Sequence, residues 1–388
     1  MGSYSGLMLG PLTVTESKNE FVSNHSELFI GEDLVVSKIH GHTTPEEHYE
    51  RPLRLVVKRL ELMGFTLARA REEYNRPNPY SFVDPLPLSF DQVMEILRAV
   101  NVADIRNEYP ECPRDGEMIP LDVQRLIRTV RPPDRFEASH WDLLALLENF
   151  GPESTLRVLA ENPANLELPV VWFFNDVVQG GWTERANIQH GITEHAEYLL
   201  VTEGSSDAKI LRRAFDVLRP DISDFFRFVD MADGYPFSGT GNLLNFAKGL
   251  VSIRIQNNVV FVFDNDAEGI ACMNKCKALS LPRNMKMMKL PDIEEFRRFQ
   301  TVGPQGEHMA DINGRGASIE CYLDLPPEAI VRWSSYNDTL QVYQGALMGK
   351  DRFKRDFLEI EGLQDDYDYG KLRCVLDEIV AVCTGEKP

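Results

Sequence analysis

The feature that most restricts this chain is a repeated pattern: short apolar runs that end in acidic residues. Tyr198-Leu199-Leu200-Val201 leads through Thr202 to Glu203-Gly204 and then Asp207. Val259-Val260-Phe261-Val262-Phe263 ends in Asp264-Asn265-Asp266, with Gly269 close behind. A further acid, Glu320, sits inside the apolar stretch Ala317–Leu323. Short, almost continuously apolar runs rich in β-branched and aromatic residues suit strands buried on both faces of a parallel sheet.

The intervening segments carry a helical period. Ser206–Leu218 places Ile210, Leu211, Ala214, Phe215 and Leu218 on one face, and Asn242–Ile253 repeats this with Leu243, Leu244, Phe246, Ala247 and Leu250. Phe225–Val229 and Met285–Leu290 read as further strands. Strand alternating with helix implies βαβ units and an α/β fold with a parallel sheet flanked by helices. Such sheets bind ligands beyond the carboxyl ends of their strands, and Glu203, Asp264 and Asp266 fall there.

Asp264 and Asp266 lie two apart, so an extended backbone sends both side chains to one side. Crowded carboxylates repel, and a divalent cation removes that repulsion. Mg²⁺ prefers hard oxygen ligands and keeps waters that a substrate can displace; Mn²⁺ accepts the same donors. Gly204 and Gly269 would let a phosphate approach the backbone. Each piece alone has a plainer reading: Asp-x-Asp as a helix cap and turn, Asp207 as a helix N-terminal acid, Glu320 as a solvated helix residue. Their occurrence together, in this order, favours a metal site.

Glu203-Gly-x-x-Asp207 after one strand, and Asp264-x-Asp266-x-x-Gly269 after a later one, resemble the Toprim domain of topoisomerases, primases and OLD-family nucleases. Asp207 and Glu320 look most like the OLD-type nuclease branch, where extra carboxylates complete a two-metal site. The resemblance covers about a third of the chain. It implies two Mg²⁺ (or Mn²⁺) ions held by Glu203, Asp207, Asp264, Asp266 and Glu320. Hydrolysis of DNA or RNA phosphodiesters would then have Glu203, Asp264 and Asp266 as catalytic residues. It also implies a basic residue after the carboxylates; in the cluster Lys350, Arg352, Lys354 and Arg355, Lys350 is taken for that role, with Lys354 beside it. The opening Met1-Gly2-Ser3-Tyr4-Ser5, with Met63-Gly64-Phe65-Thr66-Leu67, is similar to the N-terminal domain found ahead of HEPN or Toprim modules in bacterial defence-type proteins. That similarity implies an antiphage effector, with an ATPase or an inhibitory protein as partner and a homo-oligomer as its assembly.

The formal net charge is −19, from 60 acidic against 41 basic residues. This argues against a broad electrostatic grip on nucleic acid and leaves binding to metal ions and local basic groups. No apolar run approaches the roughly 18–20 residues of a membrane span, and no basic-plus-apolar leader opens the chain. The six cysteines are scattered without a CxxC pair; Cys272 and Cys276 read as helix packing residues. A reduced, cytoplasmic protein without membrane contact is expected.

Three regions are expected: a mostly helical α+β N-terminal domain over 1–195, a Toprim catalytic domain over 196–325 and a small helical tail over 326–388. Within the first, residues 1–55 read as strands and turns, with a strand at Leu34–Ile39. Leu53–Asn75 reads as one amphipathic helix. Phe90–Val100, Leu121–Val130, Trp141–Phe150, Pro152–Ala160 and Val170–Val178 read as helical. His40, His42 and His48 with Glu46 and Glu47 form either a metal cluster or a plain loop around Pro45. Arg135–His140 and Arg185–His190 have a spacing that resembles the HEPN ribonuclease motif. Gly239-Thr240-Gly241-Asn242 is either a phosphate cradle or a capped turn. Phe299–Ala310 reads as a loop beside the site, from which His308, Asn313 and Arg315 would reach a phosphate. Gly345–Asp351 superficially resembles a P-loop, but its spacing is short and Asp351 stands where Ser or Thr would hold Mg²⁺. Two rivals to a nuclease remain. One is a topoisomerase or primase, although the flanks are small for strand passage and no zinc-ribbon pattern occurs. The other is a catalytically silent interaction module.

Overall fold

The computed structural model describes residues 2–39, 45–76, 88–105, 146–188, 192, 193, 195–229, 240–338 and 340–385. The chain divides into two compact units, Met1–Gly191 and Ile192–Pro388.

The first unit holds a five-stranded antiparallel sheet. Its strands are β1 (Tyr4–Leu9), β2 (Leu12–Lys18), β3 (Leu34–Ser37), β4 (Glu46–Pro52) and β5 (Pro169–Phe173), in the order β2-β1-β5-β4-β3. Although distant in sequence, β5 lies at the centre, with Trp172 opposite both Leu7 and Tyr49. Trp172 is fully buried and stacks on Tyr49, ring centres 5.7 Å apart, and on Phe29 at 6.5 Å. Helices α1 (Leu53–Leu62), α2 (Leu67–Asn75), α3 (Phe90–Ala99) and α4 (Pro152–Leu159) close over this core through Val56, Leu60, Ala70, Val93, Leu97 and Leu156.

Two expectations for this unit are corrected. Leu53–Asn75 is two helices, because Gly64 adopts φ +87° and Thr66 caps α2 by accepting the Arg69 N–H at 3.3 Å. A left-handed glycine ends a helix at little steric cost. Val170–Val178 begins as strand β5 and turns helical only over α5 (Asn175–Gln179). An apolar run of that length is compatible with either state, and pairing with β1 and β4 decides it. Leu121–Val130, the first half of Trp141–Phe150, His40, His42, the Arg135–His140 pair and His190 lie outside the described residues.

The second unit is built on a four-stranded parallel sheet: β6 (Tyr198–Thr202), β7 (Phe226–Val229), β8 (Asn258–Phe263) and β10 (Met285–Lys289), in the order β10-β8-β6-β7. Helix α6 (Ser205–Leu218) joins β6 to β7, and α7 (Thr240–Ser252) leads into β8. The short β9 (Asn265–Asp266) opens α8 (Ala267–Lys277). One side of the sheet buries Val201, Phe261 and Phe263 against Leu243, Ala247, Cys272 and Cys276 of α7 and α8. Both cysteines are therefore packing residues, as their spacing suggested. From β6 the chain steps one way to β7 and the other way to β8 and β10, so the direction of winding reverses between β6 and β8. Ligand clefts of open α/β sheets form at such a reversal.

A second sheet follows: β11 (Phe299–Gly303), β12 (Gly306–Ala310), β14 (Val331–Asn337) and β15 (Val342–Leu347), ordered β12-β11-β14-β15. Between them β13 (Gly316–Ala317) pairs antiparallel with β9. Helices α9 (Lys350–Leu358) and α10 (Gly370–Thr384) end the unit. The expected loop at Phe299–Ala310 is thus a hairpin turning between Gly303 and Gly306, the latter at φ +93°. The expected helical tail begins instead with the β14–β15 hairpin. Its outer residues Arg332, Ser334, Tyr336 and Tyr343 are exposed. That leaves too few buried positions for the strand period to show in the sequence.

Candidate functional site

Glu203 follows β6, and Asp264 and Asp266 follow β8, at the carboxyl edge of the parallel sheet. Asp207 lies in the first turn of α6, and Glu320 lies in a 3₁₀ turn, Ile319–Tyr322. Local backbone donors hold the carboxylates. Asp207 Oδ2 accepts the Gly204 N–H at 3.0 Å, closing the first turn of α6. Glu203 Oε1 accepts the Asp264 N–H at 3.3 Å, which ties β6 to β8. Asp264 Oδ1 accepts the Ile319 N–H at 3.1 Å, bringing the Glu320 turn to the sheet edge. Asp266 Oδ1 accepts the Gly269 N–H at 2.7 Å and so caps α8. Glu320 Oε2 accepts from Ser318 Oγ at 2.8 Å. The plainer readings of Asp207 and Asp266 as helix-end residues are therefore true of their geometry and compatible with a second role. Glu320, 3 % exposed, is not a solvated residue.

Gly269 matters through its lack of a side chain. A Cβ there would lie 2.5 Å from the Asp264 carbonyl oxygen and 2.8 Å from Glu203 Oε1. Its role is to let α8 approach the β6 and β8 acids. Gly204 has only ordinary contacts at the same position, the nearest Asp207 Oδ2 at 3.6 Å.

The acids perturb one another. Burial, then the charges of Asp266 and Asp207, pushes Glu203 up to about 8. Burial, then Glu320, pushes Asp207 up to about 7. Asp264 is driven well above the usual carboxylate range by burial and then by Asp207, Asp266, Glu203 and Glu320. Burial also raises Asp266, against the lowering effect of the Gly269 N–H, the Gln344 amide, the Glu268 N–H and Lys350. Among the described residues none of these five carboxylates forms an ion pair. Lys350, exposed at the start of α9, favours the charged forms of Asp207 and Asp266. Lys354 instead donates to Ser206 Oγ at 3.1 Å and pairs with Asp351 at 3.0 Å.

Among the described residues no three His, Cys, Asp or Glu side chains already stand where they would hold one metal ion. The donor chemistry nevertheless suits a hard cation: the atoms are all carboxylate oxygens, buried together, mutually repelling and without a paired cation. Ion binding would require side-chain adjustment within the cluster, and Mg²⁺ or Mn²⁺ fits the donors better than a softer ion.

The other candidate residues are not gathered here. His48 is fully buried; its Nδ1 is 2.8 Å from the Glu46 carbonyl and its Nε2 3.4 Å from Glu50, which makes it a satisfied core histidine. Arg185 pairs with Glu47 at 2.7 Å. His308 is exposed on β12, and Asn313 is engaged with the Ile293 backbone at 3.0 Å. Arg315 is exposed, and its backbone bridges to Asp266. Gly239 lies outside the described residues, and α7 starts at Thr240. Sequence reasoning missed Gln344 of β15, whose Nε2 donates to Asp266 Oδ2 at 2.7 Å. No local signal marks it, because it reaches the site by long-range strand pairing.

The family described as HEPN/Toprim N-terminal domain 1 matches residues 1–196, more than half of the chain. The chain belongs to that family. The match ends just before β6, so it covers the first unit and leaves the acid cluster outside it. Membership in the HEPN/Toprim N-terminal domain 1 family suggests a nuclease-like or Toprim-related function and is compatible with an enzyme that cleaves nucleic acid. Comparison with curated proteins and with solved structures returns no match. No helix among the described residues is long and apolar enough to cross a membrane.

Proposed function

We propose that this HEPN/Toprim-family chain is a metal-dependent nuclease whose second unit is a Toprim domain of the OLD type, with the carboxylate cluster as its active site. One observation carries the reading: Glu203, Asp207, Asp264, Asp266 and Glu320 are packed together at the winding reversal of a parallel sheet with no ion-pair partner among the described residues. Uncompensated buried charge of one sign is costly to a fold, and its retention is most simply explained by a bound cation.

Asp264 and Asp266 would hold one Mg²⁺ or Mn²⁺ and Asp207 and Glu320 a second, with Glu203 as a further ligand. Such ions would supply Lewis-acid stabilisation of the attacking and the leaving oxygen of a phosphodiester displacement. The chain's own residues do the rest. Glu203, fixed at Oε1 by the Asp264 N–H, would orient the attacking water or take its proton. Lys350 places a positive charge near Asp207 and Asp266, where the scissile phosphate's oxygens would need one. The net charge of −19 suggests that substrate is held at this site rather than over a broad surface. A bacterial, cytoplasmic antiphage effector that works with an ATPase or inhibitory protein, or as a homo-oligomer, belongs to the proposal on the strength of the resemblance to defence-type proteins.

One observation favours the rival of a silent interaction module: among the described residues no three acidic side chains stand in holding positions as they lie. The test is cleavage of plasmid, linear DNA, single strands and tRNA by wild type, Asp264→Asn and Glu203→Gln, each with Mg²⁺, Mn²⁺ or EDTA. Cutting by wild type alone, lost in EDTA, supports the nuclease. Equal cutting by both variants removes the site assignment. Absence of Mn²⁺ binding by calorimetry selects the silent module.

A further inference from the structure

The acid cluster is not completed within the strands and helices that carry the acids. Asp266 has a donor on each oxygen: the Gly269 N–H on Oδ1 at 2.7 Å, and Gln344 Nε2 on Oδ2 at 2.7 Å. The other end of the Gln344 amide, Oε1, accepts the Glu268 N–H at 3.1 Å. The amide therefore has one allowed orientation. Flipping it would set Oε1 against a carboxylate oxygen and the NH₂ group against a backbone N–H, losing both bonds.

We propose that Gln344 is a positioning residue for Asp266, delivered by the C-terminal hairpin and required for tight divalent-cation binding. This rests on the metal-nuclease reading above.

The approach of the hairpin is built into the backbone. Gly316 pairs with Asp266 across β9 and β13, and the Gly345 N–H donates to the Arg315 carbonyl at 2.8 Å. A Cβ on Gly316 would lie 2.9 Å from the Gly345 Cα, and one on Gly345 would lie 2.6 Å from Val331 Cγ1. Gly316 thus lets β15 lie against β13 closely enough for Gln344 to span the gap to Asp266, while Gly345 leaves room for the Val331 and Trp333 side chains of β14. The register irregularity between Trp333 and Ser335 places Ser335, rather than Ser334, opposite Gln344.

The chemistry of the side chain suits the role. A neutral amide donor fixes a carboxylate without cancelling its charge, whereas Lys or Arg would compete with the cation. Partners that orient ligand side chains in this way change metal affinity by about 10- to 100-fold when removed.

The experiment measures Mn²⁺ binding by the loss of the free-ion EPR signal, alongside cleavage, for wild type, Gln344→Ala, Gln344→Met, Gln344→Glu, Asp266→Asn and the Gln344→Ala/Asp266→Asn double variant. Expected results are Mn²⁺ dissociation constants raised about 10- to 100-fold in Gln344→Ala and Gln344→Met, and raised further in Gln344→Glu, which cannot donate and adds a like charge. The Mg²⁺ concentration for half-maximal cleavage should rise by the same factor while the rate at saturating Mg²⁺ holds. Adding Gln344→Ala to Asp266→Asn should change nothing more. Wild-type Mn²⁺ affinity in Gln344→Ala, with affinity lost in Asp266→Asn, overturns the positioning role and leaves the nuclease reading intact. Wild-type binding and cleavage in Asp266→Asn overturn both. If Gln344→Ala and the volume-matched Gln344→Met both lose their near-UV circular dichroism, Gln344 is a structural strut and the proposal fails.

Discussion

The two units treat buried charge in opposite ways. In the first, charged side chains inside the fold have partners of the other sign. Arg157, 8 % exposed at its side chain, pairs with Glu61 at 3.1 Å and with Glu161 at 2.9 Å, and Glu61 also pairs with Lys58 at 2.6 Å. His25 meets Glu153 at 3.1 Å, and Arg51 meets Asp33 at 3.4 Å. In the second unit five acids are gathered with no ion pair among the described residues; burial raises the pKa values of four of them, and repulsion from neighbouring acids adds to the rise in Glu203, Asp207 and Asp264. A paired network can be explained by the fold alone. An unpaired cluster of one sign cannot, because it raises the free energy of the native state unless something absent from the polypeptide neutralises it. The difference is what singles out the acid cluster as the proposed site.

That contrast can be broken most directly at its functional end. Asp264→Asn and Glu203→Gln should lower Mg²⁺-dependent cleavage by about 10²–10⁴-fold, the range for loss of a positioned acid–base group, while leaving the metal-free fold intact or more stable. A steady-state cleavage assay with parallel thermal melts checks both halves. Loss of cleavage accompanied by unfolding would make the cluster structural.

The paired unit should respond in the opposite sense. Glu61→Ala should destabilise the protein by about 3 kcal/mol, towards the lower end for a broken buried pair, because Arg157 keeps Glu161. Urea unfolding measures this. A neutral outcome would mean that the two units do not differ in the way described.

pH sharpens the comparison further. Unfolded Asp and Glu titrate near 3.8 and 4.5, whereas folded Asp207 and Glu203 titrate at about 7 and about 8. Between these values the native state holds protons that the unfolded state has released. The contribution of these two groups to the stability of the metal-free protein should therefore fall as pH rises from about 4 to about 8. Below that window both states are protonated and these groups contribute no slope. Mg²⁺ should flatten the fall, since it stabilises the charged carboxylates. Thermal melts at pH 5 and pH 8, with EDTA and with Mg²⁺, provide the check; a rising trend in EDTA would contradict it.

Gly269→Ala should cost about 1–3 kcal/mol through overpacking, since its Cβ would meet the Asp264 carbonyl at 2.5 Å. It should also impair cleavage, because the neighbour that must yield includes Glu203. At the small end, Arg54→Ala removes an exposed pair with Glu167 at 2.9 Å. It should shift stability by less than about 1 kcal/mol and leave cleavage unchanged. That variant is the control for the Glu61 measurement.

Much of the second unit was legible before any coordinates, because its signals are local. An apolar run such as Val259–Phe263 declares a buried strand, the helical period of Ile210, Leu211, Ala214 and Leu218 declares a helix between strands, and acids just past strand ends declare a cleft. Where the signal was local but ambiguous, tertiary pairing decided it. Val170–Phe173 became a central strand only because β1 and β4 lie on either side of it. The hairpins Phe299–Ala310 and Val331–Leu347 carried too many exposed residues to show a strand period.

By itself, then, the sequence determined the parallel α/β unit, the identity of the acids and their place at strand ends, since these follow from side-chain periodicity and chain order. Only the tertiary structure decided that Glu320 is buried beside Asp264, that Gly269 admits α8 to the cluster, and that Gln344 holds Asp266 from a hairpin 78 positions away. The physical reason is common to all three. Each depends on how closely distant backbones can approach, which is set by packing and long-range hydrogen bonds that no short window of sequence contains.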